Sequence, residues 1–386
     1  MRHAAQFVKG PTNVDVTPAL LPVRQDRPVF RQAVMDRMIG DRPRTTEERD
    51  RMTLPLRVGM IGVGRHARSI LLPALAQIPQ DMQLVAFATA HEETARAVEA
   101  QFHLRTHVGY EALLADDAVE AVLVVGGRHG PEILAALEAG KPVWTETPGI
   151  NSVDDARRIR HLARERGLIV QVGSCLRYSP LYQKMHSLLT EWRATDPGPR
   201  SYTVRYYPYV GHFYNLLLYF GGAIAAACAL TSPDGDGEVV LLRFATGDTG
   251  VLTWRRFNNT SLPYERVEIA HASGLLVADN GRELAFHHTR ERVDNNALSF
   301  GVAEASVFAP TFSIPYGANT QLYLRGYPPE LAHFVHCVRT GEPPICGVDA
   351  AEQTLLVTQA VRRSAANAQW VEVAQGSWAD AGVTRP

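Results

Sequence analysis

Two glycines near residue 60 carry the clearest chemical signal in the sequence. Gly62 and Gly64 follow an apolar run at residues 56–61, and Ala67 occupies the next position that requires a small side chain. In a strand–turn–helix unit, the first glycine permits a tight turn and the second lets backbone N–H groups approach a pyrophosphate. The positive end of the following helix would face that anion. The spacing favours a dinucleotide-binding turn over an ordinary strand-to-helix turn.

The residue that follows the second apolar strand bears on which dinucleotide would bind. Proteins that prefer NAD usually place an acid there to bind the ribose hydroxyls. This chain has Thr89 at that position, and a neutral hydroxyl does not repel a 2′-phosphate and can donate a hydrogen bond to it. The sequence therefore favours NADP(H) over NAD(H) as cofactor.

Composition gives no sign of a charged macromolecular partner. The 386 residues include 46% hydrophobic residues and have a formal net charge of −1. This balance gives no electrostatic reason to expect nucleic acid or an anionic membrane as a partner, and no apolar run approaches the ~20 residues of a transmembrane helix. No secretion signal is evident, and the widely spaced cysteines are typical of reduced thiols. We expect a cytoplasmic protein that acts on a small molecule.

One group of residues has the types of a metal site but not the spacing. His333, His336 and Cys337 fall on a single predicted helix, where His336 and Cys337 are adjacent and point in different directions. No fourth ligand is evident. We expect no metal.

The pattern along the chain predicts three segments. Residues 1–54 are rich in proline and arginine and are predicted to be an N-terminal extension, either disordered or wrapped over a neighbouring subunit. Residues 55–174 alternate strands with helices, which predicts an α/β Rossmann domain with a doubly wound parallel sheet. Residues 175–386 predict an α+β domain with a mainly antiparallel open sheet, a hairpin at residues 247–250 and C-terminal helices within 329–366. Residues 294–328 lack a clear period, which often marks a lid or a subunit contact.

Five separated motifs follow one another in a fairly specific order. They are the Gly62/Gly64 turn, Glu146-Thr147-Pro148, Val172-Gly173 with Arg177-Tyr178-Ser179-Pro180, Gly211-His212, and residues 330–338 followed by Gly341. Together they make residues 56–373 similar to the glucose–fructose oxidoreductase, inositol dehydrogenase and rhizopine-catabolism (Gfo/Idh/MocA) oxidoreductase family. The resemblance implies a Rossmann domain and a second domain whose open sheet often builds the subunit interface, hence a homodimer or homotetramer.

The resemblance also implies which loops would contact the cofactor. An arginine at the position of Arg65 can stack on adenine or approach a 2′-phosphate, although an exposed helix start explains it equally simply. A histidine at the position of His129 packs near the nicotinamide, and a helix cap is the alternative here because the loop is about two residues shorter. His66 could also be a cap or surface residue. The full predicted cofactor set is Gly62, Gly64, Arg65, His66, Thr89, Gly126, His129, Glu146 and Thr147.

The proton-handling residues that the resemblance implies are only partly present. The family has a lysine in Glu-Lys-Pro and an aspartate four residues before a histidine, and this chain has Thr147, Pro208 and His212 at those positions. His212 could alone take the hydroxyl proton as hydride leaves, or it could be a structural histidine at a helix start. Tyr206 and Tyr209 flank the lost aspartate and could donate a proton, or they could be wall residues.

Three functions fit these residues. The first is a nicotinamide-dependent oxidoreductase acting on a secondary alcohol or ketone of a sugar or cyclitol. The second is an imine reductase, since an imine can arrive already protonated and makes less demand on a lysine. The third is a non-redox relative that uses the cofactor as a scaffold. Arg177 could bind an anionic or polyol substrate, or it could form a structural ion pair.

Overall fold

Two β-sheets organise the protein. The computed structural model describes residues 54–206, 210–256, 265–288, 304–309 and 320–374. The N-terminal extension predicted for residues 1–54 therefore lies outside the described residues, apart from Leu54. The placement of a domain boundary near residue 174 stays a prediction.

The first sheet has six parallel strands. They are β1 (Leu56–Ile61), β2 (Met82–Thr89), β3 (Arg105–Val108), β4 (Ala121–Val124), β5 (Val143–Thr145) and β6 (Val170–Val172). Their order is β3-β2-β1-β4-β5-β6, so the winding reverses between β1 and β4. Ligands of doubly wound sheets bind beyond the carboxyl ends of the strands at this reversal. The predicted parallel Rossmann sheet is confirmed.

The helices of this region cover the first sheet. They are α1 (Leu72–Leu75, continuing a π-helical turn at Ala67–Leu71), α2 (Glu92–Phe102), α3 (Tyr110–Leu114), α4 (Gly130–Glu138) and α5 (Val153–Arg166). Helix α5 begins at an N-cap hydrogen bond, since the Ser152 hydroxyl accepts from the Asp155 amide at 3.0 Å. The central strand β4 is buried along its whole length, as expected for a parallel strand covered on both faces.

The second sheet has nine strands. They are β7 (Ser201–Tyr206), β8 (Ile224–Thr231), β9 (Gly237–Phe244), β10 (Thr249–Arg255), β11 (Arg266–His271), β12 (Gly274–Asp279), β13 (Glu283–His288), β14 (Glu304–Phe308) and β15 (Val371–Glu372). Their order is β14-β13-β12-β11-β7-β10-β9-β8-β15. Every pairing is antiparallel except that of β7 with β10. The structure thus confirms the mainly antiparallel sheet and the hairpin between β9 and β10.

One face of the second sheet packs on helices and the other is open among the described residues. The remaining helices are α6 (Pro180–Thr195), α7 (Val210–Gly221), α8 (Thr320–Leu324), α9 (Tyr327–Thr340) and α10 (Val348–Ala365), with a 3-10 turn at Cys175–Tyr178. Strand β7 alternates, so Tyr202, Val204 and Tyr206 enter the core shared with α6, α7 and α10. The opposite face of β9 exposes Val239 and Leu241.

Several elements are not evident from the sequence pattern. Strand β3 is a polar edge strand, and β8 is rich in alanine, which favours helices over strands. Residues 294–328, which lack a clear period, contain β14 and α8, and much of the rest of that segment lies outside the described residues. The alternation and periodicity that define the other elements are too weak in these short stretches.

Candidate active site

The glycine turn lies where the first sheet reverses its winding. Gly62 has φ +91°, and a Cβ added there would lie 2.8 Å from the backbone of Gly126, in the loop after β4. At Gly64, by contrast, nothing stands within 4 Å of an added Cβ. Ala67 is fully buried where the helix packs on the sheet. The backbone at Gly62 is closely packed, whereas the space beside Gly64 is open. This arrangement fits a pyrophosphate bound by backbone N–H groups.

The end of β2 presents a neutral hydroxyl, and the helix start after β1 presents a cation. Thr89 is nearly buried, and its hydroxyl donates to the His91 carbonyl at 3.2 Å. Arg65 is exposed and forms no hydrogen bond or ion pair with any residue that the structure describes. Arg68 differs, because it donates to the Val63 carbonyl at 3.0 Å and lies over Phe102. Arg65 is therefore the cation of this helix start that is available to an anionic ligand.

Glu146 lies between two histidines beyond the end of β5. Its Oε2 is 3.6 Å from Nε2 of His66, and its Oε1 is 3.6 Å from Nε2 of His129. The carboxyl is mostly buried, and burial raises the pKa of Glu146 to about 7. Burial also lowers the pKa of both histidines. We call Glu146, His66 and His129 the Glu146 cluster.

His129 is held in an unusual backbone conformation. Its φ is +65°, which costs ~1–3 kcal/mol for a non-glycine residue and persists only where the surroundings fix it. It precedes α4, yet its side chain makes no capping hydrogen bond. Instead Nδ1 lies 3.2 Å from the hydroxyl of Thr145, which itself donates to the Val124 carbonyl at 3.2 Å. The structure thus does not support the helix-cap alternative and orients the ring toward Glu146.

The start of α7 brings His212 to the same end of the first sheet. A Cβ on Gly211 would lie 3.7 Å from Cγ2 of Thr147. The residue that precedes His212 therefore lies beside Thr147, which occupies the position of the family's lysine. The Thr147 hydroxyl and the His212 Nδ1 are buried without a hydrogen-bond partner among the described residues. Burial, with smaller contributions from Arg325 and His66, lowers the pKa of His212 to about 4. Its imidazole is neutral at pH 7.

Two further residues of this site, Arg325 and Tyr327, were not predicted from the sequence. Gly326 has φ +94°, and an added Cβ would lie 2.0 Å from the Cys175 carbonyl, so the chain passes tightly against the 3-10 turn. This approach places the Tyr327 ring 6.1 Å from the His66 ring. Arg325 donates to Glu265 at 2.5 Å and acts electrostatically on His212. A glycine between Arg325 and Tyr327 was the available signal.

The other predicted site residues lie elsewhere. Tyr206 is a core residue whose ring stacks on Phe213 at 4.6 Å, and its hydroxyl has no partner among the described residues. Burial raises its pKa well above the ordinary value. This placement favours the wall-residue alternative. Tyr209 lies outside the described residues.

Arg177 has a structural environment. Its guanidinium donates to the Asn215 carbonyl at 2.8 Å, to the Asn215 side chain, and to the Ile345 carbonyl at 2.9 Å. It also lies over the Tyr219 ring. These contacts favour the structural alternative, with neutral oxygens as partners in place of the expected carboxylate, and substrate binding by Arg177 stays a prediction.

The described residues contain neither a membrane-spanning helix nor a metal site. No helix there is long and apolar enough to cross a membrane. No group of three or more metal-ligating side chains there could hold a metal ion. His333 instead accepts a hydrogen bond from the Ile345 amide at 3.2 Å and lies 3.3 Å from the Cys337 sulfur.

Known proteins resemble this chain in sequence and in fold. Residues 56–174 match the model of the Gfo/Idh/MocA family, described as an oxidoreductase family with an NAD-binding Rossmann fold. The chain is 24% identical to myo-inositol 2-dehydrogenase of Thermotoga maritima over 349 residues, which cover 80% of this chain and 96% of that protein. It is 32% identical to inositol 2-dehydrogenase 3 of Saccharopolyspora erythraea over 139 residues, 35% of this chain and 41% of that one.

A solved structure shows the fold over most of the chain. Levoglucosan dehydrogenase in complex with NADH aligns with a TM-score of 0.70 at 18% identity, covering 83% of this chain and 100% of that one. The structural likeness extends well beyond the Rossmann region that the family model matches.

Proposed function

We propose that this chain is a member of the Gfo/Idh/MocA oxidoreductase family and transfers a hydride between a nicotinamide dinucleotide and a sugar-like or cyclitol-like molecule. The reacting group would be a secondary alcohol or its ketone. One observation carries the proposal: the glycine turn, His212 and the Glu146 cluster meet at the carboxyl end of one parallel sheet. The names of the relatives, dehydrogenases of inositol and levoglucosan, support this substrate class.

The residues of the first sheet fit the cofactor. The backbone from Gly62 to Arg65 would hold the pyrophosphate, and Thr89 would lie toward the adenosine ribose. We propose a preference for NADP(H), because Thr89 brings no negative charge and Arg65 has no partner among the described residues. The nicotinamide, when bound, supplies the two-electron hydride acceptor or donor.

His212 is the residue that we assign to the substrate hydroxyl. Its imidazole is neutral at pH 7 and can accept a proton, and its buried Nδ1 has no hydrogen-bond partner among the described residues. The nearby Thr147 hydroxyl is also buried without a hydrogen-bond partner among the described residues. Buried polar atoms without partners are uncommon and favour a ligand that supplies them. A polyhydroxylated substrate offers both donors and acceptors.

We also propose that the chain assembles into a homodimer or homotetramer through the open face of the second sheet. Apolar side chains on or near its strands are exposed to solvent: Leu230, Val239, Leu241 and Val307. Leu230 and Val239 are paired across β8 and β9, and adjacent exposed apolar side chains on an open sheet face favour a protein contact. Light scattering that shows only monomer at micromolar concentration would contradict this proposal.

The reduced state of the cysteines supports a cytoplasmic location as a further proposal. All four thiols are free, and Cys175, Cys337 and Cys346 are buried.

A direct experiment tests the proposed function. Purified protein would be titrated with NADPH and NADH by calorimetry and then assayed for cofactor reduction or oxidation with polyols, ketones and imines. Gly62→Ala should abolish cofactor binding, because its Cβ would meet the Gly126 backbone. Gly167→Ala is the matched control, since Gly167 also has positive φ but no atom within 4 Å of an added Cβ. Absence of redox turnover with every substrate that binds would favour the scaffold function.

A further inference from the structure

The hydrogen bonds around His129 indicate which of its nitrogens carries a proton. The Thr145 oxygen has two contacts at 3.2 Å, one to the Val124 carbonyl and one to Nδ1 of His129. Because a carbonyl can only accept, both contacts are hydrogen bonds when the Thr145 hydroxyl donates to Val124 and Nδ1 of His129 donates to Thr145. In the neutral ring Nε2 then carries only a lone pair, and this lone pair faces Oε1 of Glu146 at 3.6 Å. Two lone pairs facing each other repel, so the arrangement calls for a proton between them.

The second oxygen of Glu146 faces His66, the more exposed of the two side chains. Oε2 lies 3.6 Å from Nε2 of His66, whose side chain is 37% exposed while that of Glu146 is only 20% exposed. His66 also acts electrostatically on His212, as does Arg325. His66 is therefore the group that both contacts Glu146 and acts on His212. The Glu146 carboxyl forms no hydrogen bond with any described residue. No donor therefore holds it in the ionised form, and it can gain or lose a proton.

We propose that Glu146 stores the proton that leaves the substrate hydroxyl, in the place of the lysine that this chain lacks at Thr147. This inference rests on the proposed function. There, the substrate C–H bond breaks and its electron pair leaves as hydride to the proposed cofactor. The O–H bond breaks as well, and its proton passes to His212 and then by way of His66 to the Glu146 carboxylate, which becomes a carboxylic acid. Reduction of a ketone reverses these steps.

Proton affinities favour the same direction of transfer. The pKa of His212 is lowered to about 4 and that of Glu146 is raised to about 7, so a proton released onto His212 moves to Glu146 with an advantage of about 10³. A storage group with a pKa near the working pH is also the efficient choice for proton transfer in both directions.

Other ionisable groups around the cluster have defined roles. Glu132, on α4, raises the pKa of His129 by its charge and accepts a hydrogen bond from the Arg128 amide at 3.1 Å. Arg325, at the end of α8, is paired with Glu265. Tyr327 has a pKa raised well above its ordinary value by burial and so stays protonated through neutral pH. Within the described residues, Glu146 is the carboxyl next to His66 that is left to titrate near pH 7.

The test compares Glu146→Gln with Glu342→Gln in the full-length protein. Glu342 also lies beside a histidine, His336 at 2.9 Å, but is more exposed and forms no part of the site. For alcohol oxidation, Glu146→Gln should reduce kcat/KM at least tenfold at pH 7 and remove the ionisation near pH 7 from the pH profile. NADPH affinity should change by less than threefold. Glu342→Gln should leave the rate, the profile and the affinity unchanged.

A second readout does not depend on turnover. Carbon NMR of protein labelled at the glutamate carboxyl carbons should show one resonance that titrates near pH 7 and disappears in Glu146→Gln. His129→Gln, which removes the facing imidazole, should move that titration to lower pH. The NMR titration can be measured even if the wild-type protein is inactive. In that case the proposed function fails, but the protonation of Glu146 is still determined.

Any of three outcomes would overturn the inference. One is an unchanged pH profile and rate in Glu146→Gln in an active enzyme. Another is a glutamate titration near pH 7 that neither Glu146→Gln nor His129→Gln alters. A tenfold loss of NADPH affinity with an unchanged profile would also contradict it and would make Glu146 a cofactor contact.

Discussion

Two carboxylates, one in each sheet region, have very different surroundings. Asp248, in the turn between β9 and β10, accepts hydrogen bonds from the Arg200 amide at 2.8 Å, from Arg193 at 2.6 Å and from the Tyr202 hydroxyl at 3.1 Å. Glu146, beyond β5, has only imidazole nitrogens at 3.6 Å on either side. Burial without firm partners raises the pKa of Glu146 to about 7.

This difference separates a structural role from a functional one. A buried carboxylate with several donors is held in one position and holds its neighbours in place. A carboxyl with loosely placed partners is costly for the fold, and such groups cluster at functional sites. His212 Nδ1 and the Thr147 hydroxyl, at the same end of the first sheet, are likewise buried without a hydrogen-bond partner among the described residues. Four substitutions test the contrast.

The largest effect on stability is expected at Asp248. Asp248→Ala leaves the Arg193 guanidinium and the Tyr202 hydroxyl without their shared acceptor, so the free energy of unfolding should fall by about 3–5 kcal/mol. Urea denaturation measures it. Asp234→Ala, which removes a carboxylate paired with Arg255 at the surface, should have a far smaller effect. Equal losses in the two variants would contradict a special role for the buried network.

The largest effect on turnover is expected at His212. His212→Ala should lower the rate by about 10²–10⁴, the range for a lost general base, with NADPH affinity nearly intact. Steady-state kinetics and calorimetry give the two values. Full activity in His212→Ala would assign the proton to another group.

A smaller effect of opposite sign is expected for stability at Glu146. Its pKa rises from an ordinary value of 4.5 to about 7 on folding, so ionising it costs folding free energy that is absent below pH 4.5 and complete above pH 7. Glu146→Gln should therefore raise the free energy of unfolding by about 1–3 kcal/mol at pH 8 and by little at pH 4. Denaturation curves at the two pH values test this. A loss of stability at pH 8 would contradict it.

The smallest effect concerns cofactor choice. We expect NADPH to bind more tightly than NADH, and Thr89→Asp should reverse the order by repelling the 2′-phosphate. A tenfold change in the affinity ratio corresponds to about 1.4 kcal/mol. Thr89→Val removes the hydroxyl without adding charge and is the control. A wild-type preference for NADH of tenfold or more would contradict the proposal.

Local patterns allowed the sequence to predict the frame of the site. Gly62, Gly64 and Ala67 lie within six residues of one another, and the turn they form depends on short-range backbone constraints. Ser152 and Asp155 have the residue types and the spacing of a helix start, which is also a short-range property, and α5 begins there. Tyr202, Val204 and Tyr206 are two residues apart along β7 and therefore share one face.

Contacts between distant segments were beyond such reasoning. The pairing of Glu146 with His66 joins residues 80 positions apart, and nothing in either local sequence indicates it. Tyr327 reaches His66 only because Gly326 lets the chain pass the 3-10 turn at Cys175–Tyr178. The burial that shifts the pKa of Glu146 and of His212 is likewise a property of the assembled fold.

The most direct test of the central claim is a single-turnover reaction. Excess protein is mixed with NADP⁺ and each of a panel of polyols and cyclitols, and the absorbance of the reduced nicotinamide is followed. We expect at least one substrate to yield reduced cofactor in proportion to the cofactor added, with a rate that rises with pH through about 7. Bound cofactor that stays oxidised with every polyol, and stays reduced with every ketone in the reverse reaction, would contradict a hydride-transfer function.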